Sequence, residues 1–85
     1  MDREEMKRVE AQVHTDAHFK RSEIKTTYTS RCYEEWYEVW DSMNGEPVTE
    51  EDLDAFKLQP RGQGHRVTKV SETQIRLDCA CDSGD

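Results

Sequence analysis

The sequence predicts a small α+β domain. A mainly antiparallel sheet of three or four strands is packed by an aromatic helix over about residues 31–43 and a second short helix over about 50–58. Three observations carry this. Tyr33, Trp36, Tyr37 and Trp40 recur at i, i+3, i+4 and i+7, the apolar period of a helix. Thr49 precedes Asp52 by three residues, the spacing of a reciprocal helix cap. Ile75, Leu77, Cys79 and Cys81 alternate with Gln74, Arg76, Asp78 and Ala80, the period of a half-buried strand.

Taken in order, the first segment satisfies two patterns. Asp2 and Glu5 fit a helix cap, and Met6, Val9, Val13 and Ala17 fit helical spacing. Val9, Ala11, Val13 and Thr15 also alternate as in a strand. Residues 23–29 (EIKTTYT) place Ile24, Thr26 and Tyr28 on one face and are rich in β-branched residues. A strand there needs a partner, which favours a hairpin with residues 6–14 and a turn near Thr15–His18 over a helix across residues 5–18. Ser30 is the expected cap of the aromatic helix, and Asn44-Gly45 with Pro47 its stop. On that helix Tyr33, Trp36, Tyr37 and Trp40 support the core, while Glu34, Glu35, Glu38 and Asp41 face solvent. Val48 before the Thr49 cap pairs with Leu53, and Pro60 helps to end the second helix. Residues 59–65 read as a loop. Arg66–Ser71 pairs with the strand from Gln74 through a turn at Glu72-Thr73. Val67 and Val70 lie on opposite faces there, which calls for a bulge or an edge position. The tail, 82–85, is expected to fray.

Eighty-five residues make one domain, 1–85. Only thirteen are Ile, Leu, Val or Phe, a poverty that with high net charge approaches the composition of disordered chains. Two Trp and three Tyr offset it, since each buries roughly 150–250 Å². The net charge of −7 is the charge of residues 31–60 alone, where nine acids face Arg31 and Lys57. From Glu34 to Asp54 there is no base. Acidic balance disfavours direct nucleic-acid binding, because there is no excess of cations to displace counterions. No apolar run reaches the roughly 18 residues of a membrane span, and the charged start MDREEMKR is unlike a signal peptide. Three cysteines do not suggest a disulfide framework. These features predict a cytoplasmic protein.

Candidate chemistry is sparse. His14 and His18 have the i, i+4 spacing of a helical ligand pair, and Cys79 and Cys81 share a strand face. Together they are weak candidates for a closed zinc site, and the expectation is no metal and no cofactor. Arg61-Gly-Gln-Gly-His-Arg66 precedes a strand, whereas phosphate-cradling loops open onto helices. No nucleophile, base and orienting group stand together in sequence, so the chain reads as non-enzymatic.

The segregated acid is the functional clue. A surface tuned for solubility alone mixes both signs. A one-sign patch steers a basic partner, and basic partners of this kind are nucleic-acid-binding proteins. Glu34, Glu35, Glu38, Asp41, Glu50, Glu51 and Asp54 are the expected partner-binding residues. In size, acidity and lack of a catalytic motif the chain resembles the small inhibitors of phages and mobile elements, including anti-CRISPR and anti-restriction proteins. That resemblance covers no motif. It implies a binder acting in the host cell cytoplasm, which blocks a nucleic-acid site on a host protein. Two alternatives stand beside it: an assembly subunit completed by a homodimer or larger homo-oligomer, and a zinc-stabilised module.

Overall fold

A computed structural model of the chain describes residues 2–59 and 64–82. It is an α+β fold with two α-helices and a four-stranded antiparallel sheet. The elements run α1 (Arg3–His18), β1 (Phe19–Thr29), β2 (Tyr33–Ser42), a short 3₁₀ turn (Met43–Gly45), α2 (Glu50–Leu58), β3 (Gly64–Ser71) and β4 (Gln74–Asp82). The sheet order is β1-β2-β4-β3, so β2 and β4 are central.

The first segment is a helix, not half of a hairpin. The Asp2 side chain accepts from the Glu5 backbone N–H at 2.8 Å. Ten of the sixteen α1 residues are Ala, Arg, Met, Lys, Gln or Glu, the strong helix formers. Propensity and the cap outweigh the alternation of Val9, Ala11, Val13 and Thr15. The helix passes straight into β1 at Phe19, whose N–H bonds back to Thr15 O and whose ring is buried.

The aromatic helix expected over 31–43 is instead the strand β2. Half of its ten residues are Tyr, Trp or Val, which suit a pleated surface. A helix would also have stacked Glu34 on Glu38 at i, i+4, where like charges repel. In the strand the acids divide between two faces, and the register sets Lys20 opposite Asp41. Ser30 closes the β1–β2 hairpin, its N–H bonding to Tyr33 O at 2.8 Å. Asn44 and Gly45 still mark the stop, with φ of 63° and 67°, but they end a strand.

The second helix forms where expected. Thr49 Oγ1 accepts from Asp52 N, and the Asp52 carboxylate accepts from Thr49 N. Val48 and Leu53 both join the core cluster. β3 is an edge strand with a bulge between Lys69 and Ser71. The expected fraying at 82–85 falls, beyond Asp82, outside the described residues. So does most of the loop after Gln59.

One face of the sheet makes the core. Trp36, Glu38 and Trp40 on β2 stand opposite Cys79, Leu77 and Ile75 on β4. Phe56 of α2 lies fully buried on this face, edge-on to the rings of Phe19 and Trp40 at 5.1 and 5.5 Å. The α2 entry is stitched to the β3–β4 turn by Val48 N–H to Glu72 O (2.7 Å) and Ser42 N–H to Thr73 O (2.8 Å). Tyr33 and Tyr37 do not support the core. They lie on the opposite face of β2, half-buried, and no helix of the described residues covers them.

Candidate functional site

The seven acids expected on one surface occupy four environments. Glu50, Glu51 and Asp54 are exposed on α2. Among the described residues none of the three has a side-chain hydrogen bond or ion pair. Glu50 and Glu51 lie in the first turn, where the positive helix terminus favours them. Asp54 follows Glu50 at i+4, a like-charge spacing that costs a few tenths of a kcal/mol. Exposed Glu46 precedes this group.

Glu34 and Glu35 are exposed at the other end of β2, about 23 Å along the strand from Ser42 at roughly 3.3 Å per residue. Glu35 accepts from the Tyr33 hydroxyl at 2.7 Å. This bond stabilises the neutral phenol and holds Tyr33 above its ordinary pKa. Tyr37 is raised in the same way by its bond to Glu23 (2.5 Å), and the Arg76 guanidinium lies 4.2 Å over its ring. Asp41 is half-buried and accepts from Gln74 Nε2 at 2.8 Å.

Glu38 is the exception that matters. It is 3% exposed, not part of a solvent face. Trp36 Nε1 donates to its Oε2 at 3.1 Å, and Trp40 Nε1 donates to its Oε1 at 3.0 Å. Arg21 of β1 reaches within 3.8 Å of Oε1. Residues 36, 38 and 40 project to the same side of a strand, so the carboxylate sits between the two indoles and bonds both. A buried carboxylate of this kind is a structural pivot, and Glu38 leaves the list of partner-binding residues. The signal was present in sequence as Trp-x-Glu-x-Trp. It was hidden because an acid flanked by apolar residues reads as exposed.

A second polar joint ties α1 to α2. His14 Nε2 donates to Asp52 Oδ1 at 2.6 Å. Beyond the end of α2, Gln59 Nε2 donates to Thr15 Oγ1 at 2.5 Å. An open concavity of about 380 Å³ borders the His14–Asp52 pair, lined also by His18, Phe19, Ser42 and Glu46. The hydroxyl of Ser42 is engaged by Glu46 O at 2.6 Å, away from His14. Burial raises the Asp52 pKa, but the Thr49 N–H, the His14 ring and the Thr49 hydroxyl together outweigh it, and the carboxyl is held below its ordinary 3.8. A depressed carboxyl pKa gives stability that is complete above the unfolded value and lost as pH falls through the folded one. Asp52→Ala is therefore expected to cost about 1–3 kcal/mol at pH 7. The deficit should hold constant down to the ordinary carboxyl range and shrink only below it. Urea unfolding of both proteins at pH 7 and pH 3 checks this; an equal deficit at both would count against it.

The weak zinc candidates do not converge. His14 is bonded to Asp52 and lies against His18, ring centres 4.7 Å apart, while Cys79 is buried in the sheet core. Cys81 pairs with Glu34 across the central strands. Among the described residues no three His, Cys, Asp or Glu side chains are grouped to hold a metal ion. No helix among them is long and apolar enough to cross a membrane.

The chain matches no protein-family model, no curated protein and no solved structure. The class that fold and surface define is thus an α+β domain with an acid-tipped helix, and the functional reading rests on the residues themselves.

Proposed function

We propose that this chain is a non-enzymatic protein-binding module that covers a basic nucleic-acid-binding surface of another protein. It would be an inhibitor of the phage or mobile-element kind, anti-CRISPR-like or anti-restriction-like, working in the host cytoplasm. The observation that carries the reading is the exposed trio Glu50, Glu51 and Asp54, free of side-chain partners among the described residues, within a stretch that has no base from Glu34 to Asp54. Carboxylates left without partners keep their full attraction for Lys and Arg of a second protein. Their spacing on a helix, at about 1.5 Å rise per residue, supports a partial imitation of duplex charge density. Glu34 and Glu35, at the other end of β2, supply a second acidic point for a partner broad enough to span both.

The test is co-purification of the untagged protein from its native host at low and high salt, beside a variant with Glu50→Gln, Glu51→Gln and Asp54→Asn. The partner should be captured at low salt, released as salt screens the contact, and held at least tenfold less by the variant. Loss of the favourable helix-end charges costs the variant only about 1–2 kcal/mol, so its fold should survive. Equal capture by both proteins would sink the proposal.

A further inference from the structure

We propose that the outer edge of β1 pairs with β1 of a second copy of this chain, antiparallel and centred on Ile24. The proposal goes beyond the acidic-surface reading and does not depend on it. β1 is the longest strand of the sheet and forms one of its edges. Among the described residues no strand lies beside its outer row of backbone N–H and C=O groups, and such a row is a template for pairing. Every β1 residue after Phe19 is exposed. Ile24, near the middle of the strand, is 55% exposed although it is a large aliphatic residue.

Register points to a second copy. About a two-fold axis at Ile24, Glu23 of each copy stands opposite Lys25 of the other, and Ile24 meets Ile24. Glu23 and Lys25 face Val39 and Tyr37 across β2, so both project to the open face of the sheet and can meet. Opposite charges so placed stabilise a strand pair, and like charges destabilise it. An axis at Glu23 sets Glu23 on Glu23, and an axis at Lys25 sets Lys25 on Lys25. Charge therefore selects one register of the three. Lys25 makes no ion pair among the described residues, whereas Lys20 faces Asp41 and Arg21 lies 3.8 Å from Glu38 within the chain. Further out, Lys20 comes opposite Tyr28 on the same open face, a cation beside an aromatic ring. The bulges fit this axis too. Residues 23–26 keep an unbroken register with β2, and the shifts fall between Arg21 and Glu23 and between Thr26 and Tyr28. Each half of the pairing then holds one bulge from each strand, so the two strands stay in step. The other edge lacks such a fit. β3 (GHRVTKVS) carries Arg66 and Lys69 and no acid, so a second copy would bring base to base, a common guard of an edge.

The test is sedimentation of the full chain across a dilution series from micromolar to millimolar, where a monomer should pass to a dimer. Lys25→Glu should weaken the dimer at least tenfold, because Glu23 then meets an acid at both contacts. Glu23→Lys should do the same with bases. An equimolar mixture of the two variants restores both opposite-charge pairs and should dimerise again, a recovery that a general loss of structure cannot produce. In the wild-type chain, amide hydrogen exchange within residues 22–26 should slow as the dimer fills, a readout that serves even where a variant fails to fold. A monomer at every concentration overturns the proposal. So does a dimer with unchanged exchange at residues 22–26, or one that both folded variants retain, since either places the contact elsewhere. A loss in two folded variants that mixing does not repair overturns it as well. Glu50, Glu51 and Asp54 are unaltered throughout, so the acidic-surface reading stands or falls separately.

Discussion

Glu38→Lys is expected to leave the domain unfolded, whereas Glu34→Lys, four residues earlier on the same strand, should change stability by no more than about 0.5 kcal/mol. The two acids look alike in sequence. Their environments differ: Glu34 is exposed, and Glu38 is 3% exposed between two indole N–H donors. A lysine at 38 would aim an ammonium at both donors, with the Arg21 guanidinium nearby. Removing one member of a buried charged network costs about 3–5 kcal/mol, because its partners lose their acceptor without regaining water. Reversing the charge costs more. A domain of this size holds only about 5–15 kcal/mol in all. Glu38→Gln provides the graded reading. Its carbonyl can accept from one indole, but its amide then presents hydrogens to the other, and the expected loss is about 1–3 kcal/mol. Urea unfolding followed by tryptophan fluorescence measures all three variants. A folded Glu38→Lys protein with a wild-type midpoint would show that the carboxylate is not the pivot described above.

That contrast also explains which parts of the fold were legible in the sequence. α2 was legible because its signals are local: Thr49 and Asp52 cap each other within three residues, and Val48 and Leu53 flank them. β4 was legible because Ile75, Leu77 and Cys79 alternate without exception and all three are buried. β2 was not. Trp36, Tyr37 and Trp40 satisfy a helical period, and Trp36, Glu38 and Trp40 a strand period. The choice turns on whether Glu38 can face inward, which depends on both indoles and on Arg21 from a neighbouring strand. No local pattern contains that information. α1 failed differently. Residues 6–14 read as a strand because β1 needs a partner, and the partner it has is β2, whose local pattern also fits a helix. Of the candidate site, the α2 acids were legible as exposed charge, whereas the pairing of His14 with Asp52 joins residues far apart in sequence.

Phe56→Ala is expected to cost about 3–5 kcal/mol, the penalty for deleting a fully buried ring from a core that cannot close around the gap. The reason lies in how few large apolar side chains the chain commits to one place. Phe56 is 0% exposed and touches the rings that begin β1 (Phe19) and lie near the end of β2 (Trp40). Its backbone carbonyl accepts from His65 Nε2 at 3.1 Å and from Gln59 N at 3.3 Å, so the end of α2 is fixed to the start of β3 at the same residue. Truncation removes the side-chain half of this joint and leaves the backbone half in place. The helix should therefore persist but lose its seat on the sheet. For a domain of this length about 4–8 °C of melting temperature accompanies each kcal/mol, which predicts a fall of about 12–40 °C. Phe56→Leu keeps much of the volume and should lose less than half as much. If the alanine protein is already unfolded at room temperature, the leucine protein still reports the magnitude. A Phe56→Ala midpoint within a few degrees of wild type would mean that α2 is held chiefly by its caps and backbone contacts. The acid-tipped helix would then be tethered at its ends only. A seated helix presents Glu50, Glu51 and Asp54 in one fixed arrangement, and that rigidity lowers the ordering cost a partner meets on binding. If the acids bind the partner proposed above, stability at Phe56 and affinity at the acids are coupled: a Phe56→Leu protein that remains folded should bind that partner more weakly although Glu50, Glu51 and Asp54 are unchanged.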